Sequence, residues 1–270
     1  MHSNNINISP FDSEALIYDQ NFTYSKIGKA QREIVWTHLS NLIKYAKIKS
    51  VLEVNCGTGE DALFLNKKEI SVLPTDVSEK MVELANEKLK KNGFNCNAKT
   101  LDIRSINSKV SENKFDLIFS NFGGLNCIRE QELKLFFKDS SHQFKDKKNY
   151  FLVFMGKHCL MEKLYFLSKL KFSKINRRSA NEITHAKLKY ESIETLFYSI
   201  QQIKKCLPND LKIVSSYPIG FFIPPSYLES FFAPRETIFN ILKKMEILIN
   251  KFSFLCNYSD HFIIHISTND

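Results

Sequence analysis

The chain has 270 residues, a globular composition with 43% hydrophobic and 25% charged residues, and a formal net charge of +9 at pH 7. This length suits one domain with an insertion, and no apolar run approaches the ~18 residues that span a bilayer. The polar N-terminus has no basic start followed by an apolar run, which argues against a signal peptide and predicts a cytoplasmic protein.

The lysines are spread along the chain instead of forming one arm, which disfavours a nucleic-acid partner. The densest basic run covers residues 169–178 and makes an acidic substrate or an acidic carrier protein a candidate partner. The six cysteines form no CxxC pair and the seven histidines show no metal-type grouping. We therefore predict free thiols and no metal site.

Residues 11–24 mix aromatic and acidic residues, which predicts a short helix and a turn. Apolar periodicity predicts a helix within 28–47 that ends before the basic loop at 47–49, and then strands alternate with helices. The strands are predicted at 51–54, 71–75, 97–101, 115–120 and 150–155. The helices that follow them are predicted at 61–67, 78–92 and 130–144. This repetition favours a parallel sheet with helices on both faces.

The alternation stops after Gly156. Further helices are predicted at 159–171, 199–207 and 236–251, short β-like runs within 186–198, and strands at 211–217 and 261–267. We expect a single domain over 1–270 with four parts. They are an N-terminal helical lid (1–47), a cofactor-binding core (48–156), a substrate-covering insertion (157–205) and a C-terminal completion of the sheet (206–270).

The stretch from Ser50 to Ala62 predicts a ligand site, because an apolar strand runs into a turn with two glycines and then a helix. Gly57 and Gly59 let a ligand approach the backbone closely, and the helix start offers free N–H groups. Polar residues also follow the predicted strands, where the ends of a parallel sheet share one rim. They are Glu53, Asp76, Asp102 and Asn121.

These positions suit a nucleoside. Asp76, about 19 residues past Gly57, is placed to accept from two ribose hydroxyls, and Asp102 from an adenine amino group. The turn also satisfies a GxGxxA pattern, which keeps a nicotinamide dehydrogenase as an alternative. Against that alternative, Glu53 lies inside the strand end, and the turn lies farther from the N-terminus than is usual for dinucleotide sites. A P-loop is excluded because no GK[ST] follows.

Three motifs resemble class I S-adenosylmethionine (SAM) dependent methyltransferases. They are LEVNCGTG at 52–59, PTDVSEKM at 74–81 and KFDLIFSNF at 114–122. The resemblance covers 11–155, with a tail at 211–267. Asn55 departs from the family, which more often has Gly there, but Asn tolerates unusual turn dihedrals. Tyr18 and Asp19 resemble the N-terminal lid of members that act on small molecules.

The resemblance implies an α/β fold with a seven-stranded Rossmann-like sheet of order 3-2-1-4-5-7-6, strand seven antiparallel, and a lid insertion after strand five. It also implies SAM as the cofactor. The implied cofactor-binding residues are Tyr18, Glu53, Asn55, Cys56, Gly57, Thr58, Gly59, Asp76, Val77, Met81, Asp102, Ile103, Ser120, Asn121 and Phe122.

For function, we expect methyl transfer by in-line displacement to a small-molecule acceptor, such as an aromatic or carrier-bound metabolite. Candidate acceptor-binding residues are Phe122, Gly123, Met155, Tyr165 and Phe221. Candidate general bases on the lid side are His158, Glu162, His185, Tyr190 and Tyr217. The net charge keeps an RNA or DNA methyltransferase as an alternative, and a non-catalytic SAM-binding protein is another.

Overall fold

The computed structural model describes residues 9–106, 114–179, 184–187 and 192–269. Its main sheet has seven strands in the order β3-β2-β1-β4-β5-β9-β8, and a separate hairpin pairs β6 with β7. The strands are β1 (Ser50–Val54), β2 (Ser71–Asp76), β3 (Lys99–Thr100), β4 (Leu117–Ser120), β5 (Asn149–Met155), β6 (Thr184–Lys187), β7 (Ser192–Thr195), β8 (Leu211–Ile219) and β9 (His261–Thr268).

The pairing of the strands confirms the expected topology. Strands β3, β2, β1, β4 and β5 are parallel, and β9 runs antiparallel between β5 and β8. Counted within the main sheet alone, this is the order 3-2-1-4-5-7-6 with an antiparallel seventh strand. Val54 pairs with Thr75 on one side and Ser120 on the other, so the carboxyl ends of β1, β2 and β4 share one rim.

Helices cover both faces of this sheet. They are α1 (Ala15–Tyr18), α2 (Lys26–Ala46), α3 (Glu60–Lys67), α4 (Glu79–Lys91), α5 (Glu130–Ser140), α6 (Leu160–Ser168), α7 (Ile200–Cys206), α8 (Glu229–Phe232) and α9 (Glu236–Ile249). No helix within the described ranges is both long and apolar enough to cross a membrane.

Two apolar layers hold the sheet, because its central strands are buried on both faces. Leu52 and Val54 of β1 belong to one layer, together with Phe136 of α5. Val51 belongs to the other layer, together with Leu39 of α2. The alternation along β1 follows the two-residue period of a strand, so each neighbouring side chain enters a different layer.

Several element boundaries differ from the sequence predictions. The third strand spans only Lys99–Thr100, and the helix predicted at 130–144 ends at Ser140 before a 3₁₀ turn over Ser141–Gln143. The short helix and turn predicted within 11–24 are a 3₁₀ turn (Pro10–Ser13), the short helix α1 and a π-helical turn (Asp19–Thr23). Short turns allow this segment to follow the rim of the sheet, which a straight helix cannot do.

Candidate cofactor and acceptor site

The turn between β1 and α3 has the close backbone approach that its glycines predict. Gly59 lies in the left-handed region at φ +79°, and a Cβ there would stand 2.9 Å from the Cβ of Ala85 in α4. Asn55 is also left-handed at φ 60°, and its Nδ2 donates to Ser120 Oγ across 3.2 Å. The amide of Asn55 therefore ties the turn to the end of β4.

Asp76 at the end of β2 is buried beside this turn. Its Oδ2 accepts the N–H of Gly57 at 2.8 Å, and its Oδ1 accepts the N–H of Ser78 at 3.0 Å. Burial raises the pKa of this carboxyl, against the lowering effect of these backbone donors. A carboxylate has about four lone-pair sites, so the Asp76 carboxylate retains acceptor capacity for a ligand.

Glu53 is buried at the end of β1, and its Oε2 has no hydrogen-bond partner among the described residues. Burial raises the pKa of Glu53 well above its ordinary value, and the nearby charges of Asp61 and Asp76 raise it further, while Arg32 lowers it. A buried acceptor without a partner is costly, which points to a donor that arrives with a ligand.

Arg32 of α2 is buried in the same region. Its Nη1 forms an ion pair with Asp61 at the start of α3, while its Nε has no partner in the described part of the chain. Asp61 also accepts from Trp36 Nε1 at 2.6 Å and from Asn121 Nδ2 at 3.0 Å. The Asp61 carboxylate thus holds both Arg32 and the residue that follows β4.

The N-terminal segment, residues 10–23, packs over the glycine turn. Thr58 Oγ1 donates to Asp19 Oδ1 across 2.6 Å, and Lys88 Nζ lies 2.9 Å from Asp19 Oδ2. Ser78 Oγ donates to the Asp12 carboxylate in a second tie. Tyr18 lies beside the turn, with its Cε1 3.9 Å from the point where a Cβ on Gly57 would stand. Burial raises the pKa of the Tyr18 phenol to about 12.

Phe122 lies between the N-terminal segment and β9. Its ring meets those of Phe22 and His261, with centroids 4.8 and 5.4 Å apart, and the Arg32 guanidinium carbon lies 5.1 Å from its centroid. Phe122 has φ +41°, a strained conformation for a residue with a bulky side chain. Such strain concentrates at functional sites.

His261 opens β9, opposite Met155 at the end of β5, so it enters the same rim. Its Nδ1 lies 3.2 Å from Asp260 Oδ2. Asp260 accepts hydrogen bonds from Arg178 Nη2 at 2.7 Å and Gln31 Nε2 at 3.0 Å. Burial raises the pKa of Asp260, but His261 and Arg178 lower it more, so this carboxyl is held well below its ordinary value.

The candidate bases contact other side chains or lie outside the described side chains. His158 Nδ1 lies 2.9 Å from Ser179 Oγ, and Tyr217 stacks on His38 with ring centroids 3.9 Å apart. The carboxylate of Glu162 is taken up by three donors, namely Arg177, Arg178 and Tyr227. For His185 the structure describes only the backbone, in β6, and Tyr190 lies outside the described residues.

The remaining expected site residues contact neighbouring parts of the chain. Asp102 accepts from the backbone N–H of Arg104 at 2.9 Å and from its Nε at 3.0 Å. A Cβ on Gly123 would stand 3.4 Å from Met155 Cε, so these two are neighbours. Tyr165 makes its ring contacts with Phe166 and Tyr227, and Phe221 with Phe222. Met81 and Ile103 are buried core residues.

Sequence reasoning missed Arg32 and His261. The spacing of α2 reports only its apolar face, and the sequence around His261 predicts only the last strand. A signal was available in the order of the sheet, since an antiparallel strand enters the rim at its start. Polar residues that begin such a strand therefore belong with polar residues that end the parallel ones.

The unpaired atoms also test whether the site fits SAM. The methionine end of SAM carries an ammonium and a carboxylate, which match an acceptor without a donor at Glu53 and a donor without an acceptor at Arg32. Its ribose offers two hydroxyls to the remaining acceptor capacity of Asp76. The residues present therefore fit this cofactor.

Residues 51–146, less than half of the chain, match the family model described as a methyltransferase domain. No curated protein matches the chain. Among solved structures, a SAM-dependent methyltransferase from Clostridium acetobutylicum has 15% identity and a TM-score of 0.60, with 97% of this chain and 100% of that chain covered.

Magnesium protoporphyrin IX methyltransferase from Synechocystis, solved with bound SAH, the demethylated product of SAM, has 15% identity and a TM-score of 0.58. The alignment covers 96% of this chain and 94% of that chain. A protein studied for the conversion of a disulfide bond into a thioacetal group in echinomycin biosynthesis has 16% identity, a TM-score of 0.53, and coverage of 86% and 80%. At these identities the likeness shows a shared fold.

The family match, the sheet order and the geometry of the rim agree. The chain carries a class I SAM-dependent methyltransferase domain, is an enzyme of this class, and uses SAM as its cofactor. The glycine turn is therefore that of a methyltransferase, and the nicotinamide alternative is dropped.

Proposed function

We propose that this enzyme transfers the methyl group of SAM to a small-molecule acceptor that binds beside Phe122. The observation that carries the proposal is the position of Phe122, whose ring touches the N-terminal segment through Phe22 and β9 through His261. The N-terminal segment, which we place on the cofactor side, and β9, which we place on the acceptor side, therefore meet at Phe122. The methyl group must pass between the cofactor and the acceptor, so both must bind next to such a residue.

The insertion supports a small acceptor over a nucleic acid. Tyr198 N donates to Met155 O at 3.1 Å, Lys157 N donates to Tyr198 O at 3.2 Å, and Arg178 Nη1 donates to Gly156 O at 3.4 Å. These bonds fasten the insertion to the end of β5 beside the rim. A nucleic acid needs an open basic groove, whereas a covered rim suits a ligand that is largely enclosed.

For the cofactor, we assign three contacts to its polar groups. Asp76 accepts from the ribose hydroxyls, Glu53 accepts from the methionine ammonium, and Arg32 Nε donates to the methionine carboxylate. The glycine turn admits the cofactor to the backbone. The other cofactor-binding residues that the resemblance implies, the first being Tyr18 and the last Phe122, stay predictions.

SAM supplies a methyl carbon already activated by the sulfonium, so the protein must chiefly bring the acceptor atom to about 3 Å from it, in line with the sulfur. We assign His261 as the group that receives the acceptor's proton when the acceptor is a hydroxyl or an amine. Asp260 stays ionised at neutral pH and stabilises the imidazolium that forms. Arg178 and Gln31 hold Asp260 in position.

The structural neighbour named for magnesium protoporphyrin IX acts on a small molecule, which supports the class of acceptor at the level of the fold. The test is transfer of label from [methyl-³H]SAM to the fraction of a cell extract below 1 kDa, with total RNA and DNA in parallel reactions. Label in a small molecule supports the proposal. Label in nucleic acid, or in no fraction while SAM is bound, contradicts it.

A further inference from the structure

Residues 163–174 form an apolar–basic surface that the proposed methyl transfer does not use. Four large apolar side chains are exposed there, at 50% for Leu164, 50% for Leu167, 74% for Leu170 and 63% for Phe172. Lysines lie among them, at Lys163, Lys169, Lys171 and Lys174. The sequence has no Asp or Glu between Glu162 and Glu182, so the whole stretch carries one sign of charge.

Buried residues of α6 anchor this surface to the rest of the chain. Phe166 of α6 is buried, and the buried Glu162 carboxylate is bonded to Arg177 at 2.7 and 2.8 Å and to Arg178 at 2.8 and 3.0 Å. Lys171 N donates to Phe166 O at 2.9 Å and closes the end of the helix. The apolar side chains thus project from a fixed support.

Leu170 has an unfavourable backbone conformation. It occupies the left-handed region at φ 55°, the position after α6 where helices usually have Gly. A side chain in this conformation is unfavourable, and here the side chain is also the most exposed of the four. Lys47 and Glu69 adopt the same conformation after α2 and α3, so what sets Leu170 apart is an exposed apolar side chain at such a position.

We propose that the apolar–basic surface docks the enzyme on an anionic lipid bilayer, with Leu170 and Phe172 entering the acyl boundary and the lysines meeting the headgroups. Basic residues among projecting apolar ones are the pattern of interfacial membrane binding. Each lysine near an anionic surface adds to the attraction, which falls off within a Debye length.

The charge of this surface disfavours two other occupants. A second copy of the chain would set four lysines against four lysines, and like charges across an interface oppose association. An acidic protein would complement the lysines, but it would also need an apolar groove that matches the four exposed apolar side chains. A bilayer needs none, because its headgroup region adapts to the shape of what enters it.

The test is flotation of the full chain with vesicles of phosphatidylcholine alone and with 30% phosphatidylglycerol, in 0.1 M NaCl. We expect binding only to the anionic vesicles. K169E/K171E should weaken it about 20-fold or more, and L170G/F172S about tenfold. Titration with SAH, which must still bind, checks that each variant is folded.

Matched variants on other faces separate the local surface from general effects. K90E/K91E at the end of α4 makes the same change in net charge, and L135S removes an exposed leucine of α5. Both should change binding less than twofold. No binding by the wild type, or an equal loss in K90E/K91E, overturns the proposal.

Two further measurements test the other occupants. Light scattering detects a dimer, and soluble poly-glutamate stands in for an acidic protein. A dimer that forms without lipid and is lost in L170G/F172S assigns the surface to a second copy and overturns the proposal. Binding to poly-glutamate that equals binding to the vesicles and does not need Leu170 or Phe172 assigns it to an acidic protein and also overturns it.

Discussion

Asp76 accepts the backbone N–H of Gly57 across 2.8 Å, although 19 residues separate them in the chain. This bond joins the end of β2 to the glycine turn after β1. It fixes the carboxylate beside the place where the turn admits a ligand to the backbone. The cofactor site therefore depends on the order of the sheet, which makes these two strands neighbours.

Asp76→Asn should weaken the affinity for SAM and for SAH about 10- to 100-fold alike, because a charged acceptor of hydrogen bonds is lost. Titration calorimetry measures both affinities. The matched control is Asp116→Asn, since Asp116 also accepts backbone N–H groups, from Lys49 and Ser50, but at the opposite end of β1. Equal losses in the two variants would remove the ribose assignment.

Binding of SAM should release a proton through Glu53. Burial and the charges of Asp61 and Asp76 raise the pKa of this carboxyl, and a cationic ammonium favours its ionised form. Affinity should therefore rise with pH until it passes the raised pKa. Calorimetry in buffers of different ionisation enthalpy counts the protons, and Glu53→Gln should abolish the dependence. A wild type without any buffer dependence would contradict the role given to Glu53.

Asp19→Asn should speed the release of SAH about fivefold, because Asp19 joins the N-terminal segment to Thr58 and Lys88 in a partly buried pair. Stopped-flow displacement of a fluorescent cofactor analogue measures this rate. Glu83→Gln removes an exposed ion pair with Lys80 on α4 and should leave the rate unchanged. An unchanged rate in Asp19→Asn means that the segment does not retain the cofactor.

Arg178→Met should lower the free energy of unfolding by about 3–5 kcal/mol at pH 7, because Glu162 and Asp260 stay buried without this partner. Urea unfolding measures the change. Lys148→Met, which breaks an exposed pair with Asp210, should cost less than about 1 kcal/mol. A similar small cost for Arg178→Met would show that its ion pairs with Glu162 and Asp260 add little to the free energy of unfolding.

The same variant carries a pH dependence. Against the raising effect of burial, the neighbouring positive charges lower the pKa values of Asp260 and Glu162 in the folded chain. This stability is present above the unfolded pKa of about 4 and is lost as pH falls through the folded values. The difference between wild type and Arg178→Met should therefore shrink at pH 3 to 4. A difference that grows toward acid would reverse the argument.

The fold and half of the rim followed from the sequence for one physical reason. Parallel strands end at the same edge, so Glu53 and Asp76, each at the end of an apolar run, could be assigned to one site in advance. His261 could not be found in this way, because it precedes an antiparallel strand. Arg32 lies on α2 among residues whose spacing reports burial alone, so nothing in the pattern separated it from surface charges.

Calorimetric titration of the full chain with SAH, with NAD in a parallel titration, decides whether the rim binds this cofactor. One SAH should bind per chain, and NAD should give no heat. A folded protein that gives no heat with SAH, or that binds NAD in its place, would contradict the cofactor site on which every assignment above depends.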